Sequence, residues 1–190
     1  GIGGLGYGFG WEPDHLTVTR LTLSLSGWPQ DEPPLLAGQL TDLHCCTERS
    51  LERARRAARL LMANRPEVVL LTGDFLTHEG TAWAERVADV LAITAAAPLG
   101  AFAVLGNHDH SSYSAEVLTR ELGRVGIPVL RNQPARVAKR KKVWIVGVES
   151  IATRIADARV ASIGVPDDAA KIMLIHEPDF ADYAYVKVAI

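Results

Sequence analysis

The sequence predicts an α/β fold, and three observations carry that expectation. Four short apolar runs, LAGQLTDLH, EVVLLTGD, LGAFAVLGNHD and KIMLIHEPD, each end in polar residues. They are too short for helices and apolar enough to be buried as strands of a largely parallel sheet. Helical periodicity fills the intervals between the first three.

The elements follow in order. After Pro13, LTVTRLTLSLS alternates, with Leu16 and Val18 on one face and Leu21, Leu23 and Leu25 on one face after a parity change around Arg20. This predicts a half-buried strand with a bulge, or two short strands. GWPQDEPPL, with three prolines, cannot pair as a central strand and predicts a connector. Residues 1–34 are therefore expected to form a leader, strand and connector, and residues 35–190 the domain. LAGQLTDLH is the first strand of that domain, and Thr47 can cap a helix from Glu48 to about Asn64. Leu51, Ala54, Ala58, Leu61 and Met62 give that helix an apolar stripe, while Arg49, Arg53, Arg56 and Arg59 lie off it and Glu52 can pair with Arg56. Pro66 ends the helix, EVVLLTGD is the next strand, and a helix is expected over roughly Ala82 to Ala96. LGAFAVLGNHD repeats the scheme and leads to a helix over about Tyr113 to Val125. Beyond GIPVLRN, ARVAKRKKVWIVGV predicts two strands with the basic KRKK at their turn, and KIMLIHEPD closes the series.

Composition suits this reading. A chain of 190 residues and 20.5 kDa fits one domain, and 48% hydrophobic with 22% charged residues is ordinary for a globular protein. A net charge of -2 and a pI near 6.3 give no reason to expect a nucleic-acid partner. Adjacent Cys45 and Cys46 cannot easily bridge each other, which excludes a disulfide framework. No apolar run approaches the roughly 20 residues that span a bilayer. GIGGLGYGFG, with no starting methionine, reads either as the remnant of a removed membrane helix or signal segment or as a flexible leader.

In open α/β sheets, ligands gather beyond the carboxyl ends of the strands, so four polar strand ends predict one site. The candidates are Asp42 and His44, two apart in an extended end, then Asp74, Asn107, His108 and His176. Such a set suits divalent Mn, Fe, Zn or Mg better than a thiolate-type zinc site, and it is large enough for two ions that clamp a phosphoryl group.

The ordered set D-L-H, G-D about thirty residues on, G-N-H-D after another thirty, and a strand ending in H-E-P-D resembles the calcineurin-like metallophosphoesterase family. Any one of these motifs alone is uninformative; the series is specific. The resemblance covers nearly the whole chain from Trp11, because EP-x-x-L-x-V-T-R is similar to the approach of a bacterial branch whose phosphohydrolase domain follows a membrane anchor or export signal. Members of that branch resemble phosphodiesterases and UDP-diacylglucosamine pyrophosphatases.

The resemblance implies a sandwich of two mixed β-sheets flanked by helices and a centre of two divalent ions (Mn, Fe or Zn). Carried over residue by residue, Asp42 and His44 would bind the first metal, Asp74 would bridge both, and Asn107 and His176 would bind the second. His108 would contact a phosphate oxygen and protonate the leaving group, with Asp109 as its orienting partner. The implied reaction is hydrolysis of a phosphodiester, phosphomonoester or pyrophosphate by a metal-activated hydroxide. The implied substrate is a phosphoester, lipid-linked or a nucleotide-sugar phosphate, and the implied setting is membrane-associated or exported in a bacterium, with the cytoplasm as alternative. The family's pattern closes with G-H-x-H, one histidine for each metal, whereas this chain reaches Ile190 within VKVAI, which resembles the strand before that motif. The expectation is a chain truncated there. Two further readings stay open: a binding module that keeps the fold without catalysis, and a nucleotide phosphodiesterase or exonuclease.

The remaining polar residues have plainer readings. KRKK, Lys139 to Lys142, is expected as a solvated hairpin tip. His78 and His110 are loop histidines outside the motif, Cys45 and Cys46 small buried neighbours of the site, and Trp83 and Trp144 packing residues.

Overall fold

A computed structural model of the chain describes residues 15–25, 27–77, 81–111 and 114–180. The elements are β1 (Ala37–Leu40), α1 (Glu48–Ala63), β2 (Val68–Thr72), α2 (Ala84–Leu91), β3 (Ala101–Val104), α3 (Asn107–Ser111), α4 (Ala115–Arg124), β4 (Gln133–Arg136), β5 (Val143–Gly147), α5 (Ala158–Ala161) and β6 (Ala170–Leu174). The helix expected over Ala82 to Ala96 is divided: 3₁₀ turns at Thr81–Trp83 and Ala92–Ala96 flank α2. The predicted Gly-rich leader, the terminal VKVAI strand, His78 and Tyr113 lie outside the described residues.

Two three-stranded sheets stack face to face. The first is all parallel in the order β1-β2-β3; the second has the order β4-β5-β6, with β4 antiparallel and β6 parallel to β5. Alternation along each strand explains the layering. In the first sheet Val69, Leu71, Ala101 and Ala103 pack with Leu51, Leu91, Leu118 and Leu122 of the helices. The residues between them, Val68, Phe102 and Val104, pack against Val143, Ile145 and Leu174 of the second sheet. Outward-facing Val146 and Val148 are covered by Ala158, Ala161 and Phe180. The result is a helix–sheet–sheet–helix sandwich. Each fully buried Leu, Val or Phe contributes roughly 1.5–3 kcal/mol, which makes this double core the main stabilising term.

Local signals set the element ends. Thr47 caps α1 as predicted: its hydroxyl accepts from the Ser50 N–H at 3.1 Å, and the Ser50 hydroxyl accepts from the Thr47 N–H at 3.0 Å. Gly147 lets the two sheets approach, since a Cβ there would fall 2.1 Å from the Leu130 Cβ.

The structure corrects three expectations. Residues 15–25 form no strand; Leu21, Leu23 and Leu25 are exposed, and no neighbouring strand pairs with them among the described residues. An unpaired strand cannot satisfy its backbone, so alternation alone did not suffice. Glu52 pairs with Arg55, one turn away at i+3, rather than with Arg56. The KRKK turn is not wholly solvated, because Arg140 is buried. It donates to the carbonyls of Pro33 and Pro34 at 2.9 and 3.1 Å and pairs with Glu67 at 3.1 Å and Glu32 at 3.7 Å. Glu32 in turn accepts from the N–H groups of Lys141 and Lys142 at 2.6 and 2.7 Å, so the proline-rich connector is docked on the hairpin.

Candidate metal centre

The six predicted residues converge at the carboxyl ends of β1, β2, β3 and β6. Ligand-capable atoms of His44, Asp74 and His108 lie within 4.8 Å of one another, and so do those of Asp42, Asp74 and His176. Asp74 belongs to both groups.

The loops beyond β1 and β2 continue to pair after the strands end. Asp42 N–H donates to the Gly73 carbonyl at 3.1 Å, His44 N–H to the Asp74 carbonyl at 3.0 Å and Cys45 N–H to the Phe75 carbonyl at 2.8 Å. Asp42, His44 and Asp74 nevertheless have φ of 54, 46 and 53°, in the left-handed region that costs a non-glycine residue roughly 1–3 kcal/mol. The strain turns the three side chains toward one point. His44 Nε2 lies 3.6 Å from both Asp42 Oδ1 and Asp74 Oδ2. Its ring meets that of His108 edge to face, with centroids 5.0 Å apart.

Two glycines make room for Asp74. Gly73 has φ +94°, and a Cβ on it would lie 2.6 Å from the Gly106 nitrogen and 2.8 Å from His176 Nδ1. A Cβ on Gly106 would lie 2.1 Å from Asp74 Oδ1. These contacts explain the glycines of the GD and GNHD motifs. Asp74 Oδ1 accepts from the His108 N–H at 3.0 Å. Asp109, fully buried, accepts from the N–H groups of Leu76 and Gly106 at 3.1 and 2.9 Å, clamping the two loops together.

His176 arrives from the second sheet. Its Nδ1 lies 2.8 Å from the Thr72 carbonyl, which can only accept, so Nδ1 carries the proton and Nε2 faces the centre. Nε2 is 3.2 Å from Asn107 Oδ1 and 3.4 Å from Asp74 Oδ2. A ring nitrogen tied to a backbone carbonyl, with the other presented to carboxylate and amide oxygens, is how metal-binding histidines are oriented.

The charges are strongly coupled. Its hydrogen bond to Asp74 pushes the His176 imidazole up to about 9, against the effect of burial. Burial raises Asp74, but the hydrogen bonds from His176 and the His108 backbone outweigh it and hold the carboxyl below its usual range. Asp109 is pushed up to about 6, chiefly by burial. The carboxylate, imidazole and amide donors fit a divalent cation of borderline or hard character. Cys45, fully buried and with its thiol pushed up to about 12 by burial, is inert, whereas Cys46 is exposed, contrary to expectation.

Beside the centre stands a charged network that motif reading missed. Glu149, just beyond β5, accepts from His110 Nε2 at 2.9 Å and from Arg131 Nε at 2.7 Å. Burial raises its carboxyl, but these two partners hold it below the usual range. Nothing in the local sequence signals a pairing across 39 residues.

Residues 37–154 match the family described as calcineurin-like phosphoesterase. The chain is 26% identical over 181 residues to the uncharacterized metallophosphoesterase YkuE of Bacillus subtilis strain 168, a match covering 94% of this chain and 63% of that protein. It is 33% identical over 102 residues to the UDP-2,3-diacylglucosamine pyrophosphatase LpxG of Chlamydia trachomatis, covering 54% of this chain and 31% of the relative. For the protein of the same name from Chlamydia muridarum the figures are 28% over 127 residues, 67% and 38%. The matches thus span less than two thirds of the length of each relative.

Proposed function

The chain belongs to the calcineurin-like phosphoesterase family, and from that premise we propose that it is a metal-dependent hydrolase of phosphoester or phosphoanhydride bonds with a two-ion centre. The observation that carries this reading is the sharing of Asp74 between two clusters of ligand-capable atoms. Asp42, His44, Asp74, Asn107 and His176 would hold the ions. When bound, divalent ions at this place supply Lewis acidity toward a phosphoryl oxygen and activate water at neutral pH.

The chain's own residues do the rest. Asp74, held at Oδ1 by the His108 N–H, presents Oδ2 to both His44 and His176. Asn107 contributes a neutral oxygen, which limits the negative charge that an anionic substrate must approach. His108, half-buried at the start of α3 and beside His44, would donate a proton to the departing oxygen.

We propose a lipid-linked phosphoanhydride as the substrate class, supported by two facts. Two relatives are named as UDP-2,3-diacylglucosamine pyrophosphatases. An open pocket of about 350 Å³ is lined by Ile151, Arg154, Ala156, Asp179 and Phe180, the last two being close to His176 in sequence. Ile151 of this lining is exposed, as are Ile155, Val160 and Ile163 of the same stretch of chain. No helix among the described residues is long and apolar enough to cross a membrane, so attachment to one belongs to the proposal.

The test is ion stoichiometry and hydrolysis of an aryl phosphodiester and of a nucleotide-linked pyrophosphate, on this chain and on any longer chain its gene encodes, each with Asp74→Ala. The expected result is two ions and turnover that Asp74→Ala abolishes. A folded gene product that binds no Mn, Fe or Zn and cleaves neither substrate would establish a binding module instead.

A further inference from the structure

Taking an ionised carboxylate out of water is costly unless donors hold it. Glu149, with a side chain 2% exposed, is such a group, and the reading above gives it no part. Its Oε1 accepts from His110 and its Oε2 from Arg131, which also reaches Glu116 at 3.3 Å. Its backbone N–H donates to Asn132 Oδ1 at 3.0 Å. The carboxylate is therefore specified on both oxygens.

Its place in the sheet gives these bonds a purpose. Gly147 of β5 pairs with Leu174 of β6, and Val148 N–H donates to the Leu174 carbonyl at 3.0 Å. Glu149 and His176 thus stand two residues beyond the same rung, and alternation turns both toward the first sheet. His110 sits on α3, three residues beyond Asn107 and two beyond His108. The His108 N–H to Asp74 and the Gly106 N–H to Asp109 hold the start of α3 against the first sheet. Glu149 ties the same helix to the second sheet.

We propose that Glu149, acting through His110, is a positioning residue that sets Asn107 and His108 against His176, and thereby governs affinity for the ion between Asp74, Asn107 and His176. The inference rests on the metal-centre reading of the preceding section. Breaking the tie leaves every ligand in the chain but loosens the 3.2 Å approach of Asn107 to His176. Loss of such a supporting contact typically costs 10–100-fold in metal affinity or activity.

The experiment uses the full gene product, its Glu149→Gln and His110→Asn variants and the double variant. Mn(II) binding is followed by equilibrium dialysis and by the electron paramagnetic resonance signature of a coupled ion pair, and kcat and KM are measured separately on an aryl phosphodiester. Each single variant is expected to lose affinity for one of two ions by 10–100-fold, with kcat falling and KM holding. The double variant is expected to be no worse than either, because both changes break one tie. Folded single variants that bind two ions and turn over like the wild type overturn the proposal, as do losses that add in the double variant. If Glu149→Gln does not fold, His110→Asn decides alone, since its ring is partly exposed. A wild type that binds no ion removes the metal-centre reading itself.

Discussion

A methyl group on Gly106 would fall 2.1 Å from Asp74 Oδ1 and 2.7 Å from the Asp74 backbone nitrogen. The glycine is an absence of matter that the carboxylate occupies. Gly106→Ala is therefore expected to push Asp74 out of line. Overpacking of this kind costs about 1–3 kcal/mol, and divalent-ion affinity should fall at least tenfold. Thermal melts with and without Mn check both, and an alanine variant with unaltered ion affinity would contradict the fit.

Gly147 tests the packing of the two sheets rather than a ligand itself. A Cβ there would overlap the Leu130 Cβ at 2.1 Å and crowd Val104 at 3.1 Å, forcing the two sheets apart. Gly147→Ala should destabilise the fold by about 1–3 kcal/mol or more. Urea unfolding monitored by circular dichroism gives the number.

Arg140 holds two acids and two carbonyls in one buried place. Arg140→Ala leaves Glu32 to the N–H groups of Lys141 and Lys142 alone and the Pro33 and Pro34 carbonyls without their donor, and removing one partner of a buried pair costs about 3–5 kcal/mol. Lysine should rescue little, because one ammonium cannot reproduce the planar fork. Equal stability of the alanine and wild-type proteins would show the pairing to be without weight.

Glu149 sets an acid-side pH dependence. Its folded carboxyl lies below the ordinary value of 4.5, so its contribution to stability is complete above that value and is lost as pH falls through the folded one. His110 and Arg131 face it directly, and Glu116 lies behind Arg131. Between about pH 6 and pH 3 the wild type should lose more of its melting temperature than Glu149→Gln does. Parallel pH slopes would refute the assignment.

The two cysteines should separate cleanly. Cys45 is fully buried and Cys46 exposed, so an alkylating reagent should add one label per native chain, at Cys46, and two after denaturation. Peptide mapping by mass spectrometry reads the position.

Much of this was legible in the chain because strand ends are local events. An apolar run followed by D-L-H, G-D, G-N-H-D or H-E-P-D carries its own burial signal and its own polar stop, and the structure brings all four stops together. The cap at Thr47 was legible for the same reason. Arg140 was misread because its acids, Glu32 and Glu67, lie 108 and 73 residues away. The His110–Glu149 pair was missed on the same ground, as its meaning comes from the docking of two sheets. The leucines at 21, 23 and 25 show the converse, a strong local pattern that lacks a neighbour among the described residues.

Asn107 and His176 meet although 69 residues separate them, one from each sheet. This governs the order of events as the chain leaves the ribosome. Asp42, His44, Asp74 and Asn107 belong to the sheet that is synthesised first and whose parallel strands pair consecutively. His176 reaches Asn107 only when β6 has been made and has docked, so on the proposed reading ion capture would be a late step. Long-range pairings of this sort form slowly. On the two-ion reading proposed above, a cation held at full strength would then be a certificate of completed folding.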